Sequence, residues 1–175
     1  MKDMIRYAVI LALIAAFSGG AIAATVGITT PITEAREASE LQGSLTTLLP
    51  GAERFTTSEQ NGETYYIGEK NGAAIGYIVN GSANGYGGAI KVLVAFDAVG
   101  TVKQIKILSH SETPGIGSVV IESADFAAQF VGKAKKDTFE VGKDIAAISG
   151  ASRSSRGVTG AVKDAVTFLN TNVLP

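Results

Sequence analysis

The stretch from Asn61 to Phe96, NGETYYIGEKNGAAIGYIVNGSANGYGGAIKVLVAF, decides the fold class. Asn-Gly occurs in it four times, at Asn61-Gly62, Asn71-Gly72, Asn80-Gly81 and Asn84-Gly85. Both residues of that pair tolerate positive φ, so each pair is expected to form a tight turn. Between and after the turns lie Glu63–Glu69, Ala73–Val79, Ala89–Phe96 and Thr101–Leu108, rich in β-branched and aromatic residues. Ile90, Val92, Val94 and Phe96 alternate, as one face of a half-buried strand does. Asp97-Ala98-Val99-Gly100 turns the chain into the next strand. Residues 52–108 therefore read as a meander or small twisted antiparallel sheet.

Helical signals surround this block. Ser123–Val131 reads as a short helix, with Ser123 as N-cap, Phe126 and Phe130 four apart, and Gly132 as a stop. Near the end Val158, Ala161, Val162, Ala165, Val166 and Leu169 recur at helical spacing, giving a final helix that can cover one face of the sheet. Upstream, Thr33–Leu49 spaces Ala35, Ala38, Leu41, Leu45 and Leu48 as a helix does; Thr33 fits its N-cap and Pro50-Gly51 ends it. The fold class is α+β: a small antiparallel sheet packed by helices, preceded by one N-terminal transmembrane helix.

That last element comes from the front of the chain. Tyr7–Ile28 is a 22-residue run without a charge. About 20 apolar residues cross a hydrocarbon core of ~30 Å. Lys2 and Arg6 precede the run, which places the N-terminus inside and the remainder outside. The expected organisation is a cytoplasmic tail (1–6), a transmembrane anchor (7–28), a stalk helix (29–49) and an extracytoplasmic domain (50–175). Ala21-Ile22-Ala23 also fits a signal-peptide cleavage site, an alternative in which the domain is released but still exported.

Composition removes whole classes of chemistry. The chain has 175 residues, 15 basic and 16 acidic, a net charge of −1 and a mean hydropathy of +0.25. That balance rules out a strong electrostatic nucleic-acid binder, which needs a clustered basic surface. The absence of Cys excludes disulfides, thiolate catalysis and cysteine-held iron–sulfur clusters, and the single His110 excludes multi-His metal sites. Any redox chemistry must be carried by an organic cofactor.

Ile148–Gly157, ISGASRSSRG, is where chemistry concentrates. Ser149, Gly150, Ala151 and Ser152 stand just ahead of the last helix, whose first amides and dipole favour an anion. Arg153 and Arg156 could donate charge-assisted hydrogen bonds to phosphate oxygens. By itself such a stretch is as readily a capping arrangement. A serine nucleophile based on His110 is a further reading, although Ser-Gly-Ala-Ser is not the G-x-S-x-G elbow.

Ser149-Gly150-Ala151-Ser152 resembles the S/T-G-A-T/S motif of FMN-binding domains that carry covalent flavin. Gly85-Tyr86-Gly87-Gly88 is similar to the glycine-rich segment of that family, and His110-Ser111-Glu112-Thr113-Pro114-Gly115-Ile116-Gly117 to its H-x-E-T-P-G-L-G loop. The order of these elements behind one membrane helix resembles the G-subunit family of Rnf-type electron transport complexes, with the C-subunit of the sodium-pumping NADH:quinone reductase as near neighbour. The resemblance implies FMN attached by a phosphoester to Ser152, placed there by a flavin transferase using FAD, with Ser149, Ser154 and Ser155 as nearby alternative hydroxyls. It implies contacts from Ser149, Gly150, Ala151, Arg153, Tyr86, Glu112, Thr113, Pro114 and Gly115. Small residues of the two loops would let backbone approach the flavin ring, while His110 and Glu112 would hydrogen-bond its edge or position the loop. It also implies an electron-relaying flavoprotein subunit of an ion-translocating complex, with the other subunits and the lipid bilayer as partners and no turnover by this chain alone. Two departures stand out: serine replaces the usual threonine at 152, and Ala146 occupies the place where an acidic residue commonly precedes the motif, Asp144 lying two residues too early. The readings outside that complex are a freestanding exported flavin domain for sensing or enzyme maturation, and a non-redox exported binding domain.

Overall fold

The computed structural model describes residues 2–174, the side chains of residues 2–4, 8 and 21–38 excepted. The chain divides into two compact units, Met1–Gly43 and Ser44–Pro175. A single helix, α1 (Lys2–Leu48), makes up the first and contributes its last turn to the second.

In the first unit Ile5, Tyr7, Val9, Ile10, Leu11, Leu13, Ile14 and Phe17 are all exposed, from 44% to 81%. At 3.6 residues per turn these positions leave no polar face that water would prefer. Among the described residues no helix is long and apolar enough to cross a membrane. The span expected at Tyr7–Ile28 includes residues 8 and 21–28, whose side chains lie outside those described, as does that of Thr33.

The second unit is built on five antiparallel strands that pair in sequence order: β1 (Arg54–Gln60), β2 (Glu63–Lys70), β3 (Ala73–Asn84), β4 (Ala89–Asp97) and β5 (Val102–Ser109). Two of the four Asn-Gly pairs turn the chain as expected. Asn61 and Gly62 have φ of 53° and 81°, and Asn71 and Gly72 have 51° and 77°, the doubly positive pattern that suits the twist of a two-residue hairpin.

The other two pairs are different. Asn80 and Gly81 continue β3, opposite Leu93 and Val92 of β4. A Cβ on Gly81 would lie 2.0 Å from the Ala161 carbonyl oxygen, so this glycine serves close approach of a helix to the sheet. Gly81→Ala is expected to force the two apart and cost about 1–3 kcal/mol, read as a lower urea midpoint. Asn84 ends β3, and the turn lies beyond it, closed by the Gly85 N–H donating to the Gly88 carbonyl at 2.8 Å. Strand β1 has no counterpart among the strands expected from the sequence.

Three helices follow the sheet: α2 (Ser118–Glu122), α3 (Ala124–Ala128) and α4 (Ser152–Phe168), the last running into a π-helical turn at Leu169–Val173. Ser123 caps α3 as expected, its hydroxyl accepting from the Phe126 N–H at 3.1 Å. Val158, Ala161, Val162, Ala165 and Val166 bury the apolar stripe of α4 among Val79, Ile90, Val92, Val94 and Phe96 of the sheet. On the opposite face Leu49 lies over Gly68 and Gly76, while Lys106 Nζ donates to Ser44 Oγ at 2.8 Å. Leu45, Leu48, Ile78 and Leu93 are all buried. With both faces covered, β4 is buried from Val92 to Phe96, and the sheet becomes a stiff platform for the loops at its edge.

Candidate functional site

Helix α4 opens without a side-chain cap. Its N-cap residue is Ala151, which has no side-chain acceptor to offer, and Gly150 before it takes a φ of +80°. The first amides of a helix lack intrahelical acceptors, so this end is left for an external acceptor. The serines here divide by role. Ser155 is fully buried; its hydroxyl donates to the Ala151 carbonyl at 3.0 Å and accepts from the Ile148 N–H at 3.2 Å. Ser154 is also buried and donates to Glu112 at 2.5 Å. Ser149 and Ser152 remain exposed.

Ser152 stands in the wall of a cavity of about 430 Å³, within the range of small-molecule and cofactor sites. One side is Gly150, Ala151, Ser152, Arg153 and Ser154; the other is Tyr86 with Glu112, Thr113, Ile116 and Gly117. The Arg153 guanidinium sits 5.7 Å from the centre of the Tyr86 ring, a cation–π distance. Tyr86 is nonetheless 67% exposed, and Ile116 is 58% exposed. The cavity thus combines an accessible hydroxyl, an uncapped helix start, a guanidinium and an open aromatic ring.

Glu112 ties these walls together. Its Oε1 accepts from the Tyr86 N–H at 2.8 Å and the Gly87 N–H at 3.2 Å, and its Oε2 accepts from Ser154 Oγ. Burial raises the carboxyl's pKa, but hydrogen bonds from Ser154, Gly87 and Tyr86 outweigh it and hold the group below the ordinary carboxylate value. The Glu112 N–H donates to His110 Nδ1 at 3.2 Å, so that ring nitrogen is engaged by its own loop rather than offered to a serine.

Most of the residues that the sequence marks as candidates meet here. Tyr86, Glu112, Thr113, Gly150, Ala151, Ser152 and Arg153 border the cavity; Ser149, Pro114 and Gly115 do not. Gly115 forms the tip of the adjoining turn, with φ +76° and its N–H donating to Ser118 Oγ at 2.9 Å. Ile116, Gly117 and Ser154 join the walls; the sequence marks the first two only as part of their loop and Ser154 only as one of the alternative hydroxyls near Ser152. Only pairing with Glu112, 42 residues away, distinguishes Ser154 from its neighbours. At three of the glycines the room is taken by protein atoms: Cβ atoms on Gly85 and Gly117 would strike the Glu112 carboxylate, and one on Gly87 the Ser111 carbonyl, whereas those on Gly115 and Gly150 would meet nothing.

Asp144 lies apart from the cavity lining and does structural work. It accepts from the Glu140 and Phe139 N–H groups, Thr138 Oγ1 and Lys133 Nζ, at 2.7 to 3.3 Å. Burial raises its pKa, yet these donors prevail and depress it well below the ordinary 3.8. A depressed folded-state pKa contributes stability that is complete above the unfolded value and is lost as pH falls toward the folded one. Asp144→Ala is expected to cost about 2 kcal/mol at neutral pH. In thermal melts from pH 6 down to pH 2, the gap between parent and variant should narrow below pH 4.

A family model described as FMN-binding domain matches residues 85–167, the segment that contains all the cavity walls. The G-subunit of the proton-translocating ferredoxin:NAD(+) oxidoreductase complex of Clostridium ljungdahlii is 36% identical over 88% of this chain and 85% of its own length. The G-subunit of the ion-translocating oxidoreductase complex of Escherichia coli is 30% identical over 98% of this chain and 93% of its own. Among solved structures, the C-subunit of the Na(+)-translocating NADH-quinone reductase of Parabacteroides distasonis aligns with a TM-score of 0.48 and 19% identity over 61% of each chain.

Proposed function

Because the chain belongs to the G-subunit family of ion-translocating oxidoreductase complexes, we propose that it is the membrane-anchored flavoprotein component of such a complex, carrying FMN through a phosphoester to Ser152. The observation that carries this reading is the environment of Ser152: of the two serines lining the cavity it is the exposed one, at an uncapped helix start beside Arg153.

The residues present fit that group. A phosphodiester keeps one negative charge, which the first amides of α4 and the Arg153 guanidinium can meet. Tyr86 offers an exposed aromatic face, and Thr113, Ile116 and Gly117 of the neighbouring loop line a wall of the same cavity. Glu112, with both carboxylate oxygens engaged by protein donors, holds this wall in place. When bound, the flavin supplies electron acceptance and donation, while the protein supplies orientation and electrostatics. The chain itself turns over no substrate; it relays electrons between other subunits, whose flow drives ion movement. A flavin transferase would serve its maturation.

The anchor is supported by the charge-free run Tyr7–Ile28 behind Lys2 and Arg6 and by the large apolar side chains exposed around α1, a pattern suited to lipid. Topology follows from the basic flank: N-terminus in the cytoplasm, domain outside.

One measurement tests both parts. The intact mass of the protein taken from native membranes should equal the full chain plus one FMN less one water. A mass lacking the flavin overturns the attachment, and a mass lacking the residues before Ala24 overturns the retained anchor.

A further inference from the structure

Three separated segments converge on one carboxylate: the loop after β3, the loop after β5 and the first turn of α4. Glu112 is 5% exposed, accepts two backbone N–H groups from the first of these loops and one hydroxyl from the helix, and belongs to the second. The packing around it has no slack. A Cβ on Gly85 would come within 2.1 Å of Oε1, and one on Gly117 within 2.3 Å of Oε2. Gly157 of α4 rests directly on Gly85, since its Cβ would lie 2.8 Å from the Gly85 Cα.

From this convergence we infer that Glu112 is a positioning residue that fixes the separation between Tyr86 and Ser152, and so readies the site for loading. The inference rests on the reading of Ser152 as the attachment point. Reach matters in this role. Glutamine can keep both links, its Oε1 accepting from the Tyr86 and Gly87 amides and its Nε2 donating to Ser154 Oγ. Aspartate keeps the charge but is one methylene too short to span both walls. Alanine keeps neither.

The test compares Glu112→Gln, Glu112→Asp and Glu112→Ala in the full chain, co-produced with a flavin transferase and FAD. Loading is read by intact mass, per folded molecule as judged by circular dichroism. Amide exchange at Tyr86 and Gly87 is followed separately in chains made without the transferase. Glu112→Gln should load within about threefold of the parent, whereas Glu112→Asp should load at least tenfold more slowly; exchange at Tyr86 and Gly87 should accelerate at least tenfold in the aspartate variant and little in the glutamine one. Glu112→Ala should follow aspartate where it folds. An aspartate variant with parental loading and exchange overturns the inference. So does a glutamine variant as defective as aspartate in loading, because charge rather than reach would then govern. A parent chain that never loads overturns the attachment reading instead, while the exchange measurement still judges the role of Glu112 in holding the walls.

Discussion

Chains carrying Ser152→Ala are expected to leave the membrane without flavin, their in-gel fluorescence abolished and their intact mass that of the bare polypeptide. The argument is one of access. Ser154 and Ser155 are buried and already hydrogen-bonded within the protein, and Ser149, though exposed, lies outside the cavity wall. No neighbouring serine of this segment is placed to substitute. Ser152→Thr keeps the oxygen and should retain fluorescence, and Ser149→Ala should change it little. Fluorescence that persists in Ser152→Ala would move the attachment elsewhere. Because Ser152 is exposed and its residue type contributes no cap, the alanine chain should melt within a degree or two of its unloaded parent, so the loss would not be one of folding.

Phe96→Ala is expected to have the largest effect on stability. Phe96 is fully buried in β4, opposite Tyr77 and Val102, in the cluster that α4 covers. Truncating such a phenylalanine costs about 3–5 kcal/mol, transfer and cavity terms together, out of a typical total of roughly 5–15 kcal/mol. Melting should fall by roughly 10–20 °C, with a matching drop in the urea midpoint. A shift of only a few degrees would mean that the core closes over the gap. Since β4 and α4 share this cluster, the variant should also load flavin less completely at growth temperature.

The sheet is legible in the sequence because its signals are local. Ile90, Val92, Val94 and Phe96 alternate over the span in which they pair, and Asn61-Gly62 and Asn71-Gly72 carry turn chemistry independent of anything distant. Asn80-Gly81 looks identical in sequence, yet its glycine answers to Ala161, eighty residues away, and no local rule reveals that. Strand β1 is hidden because RFTTSEQ carries one large apolar residue among polar ones, as a half-buried edge strand does. At the site, the residues that present chemistry to the cavity can be picked out as motifs. The Glu112–Ser154 link cannot, because a serine next to three others gives no sign of which one faces a carboxylate. The family resemblance suggests that the glycines make room for a ring; at Gly85, Gly87 and Gly117 Glu112 and Ser111 occupy that room, while at Gly115 it stays open.

The order of elements along the chain has a consequence for quality control. All five strands emerge from the ribosome before α4, and each after the first pairs with its immediate predecessor, an arrangement of short-range contacts that closes quickly. Ser152, the hydroxyl we propose for attachment, stands on the last helix, and its setting is complete only when that helix has docked across the finished sheet. On the attachment reading, incomplete or stalled chains would therefore present no loading site, and the prosthetic group would be spent only on molecules that have passed their own structural inspection.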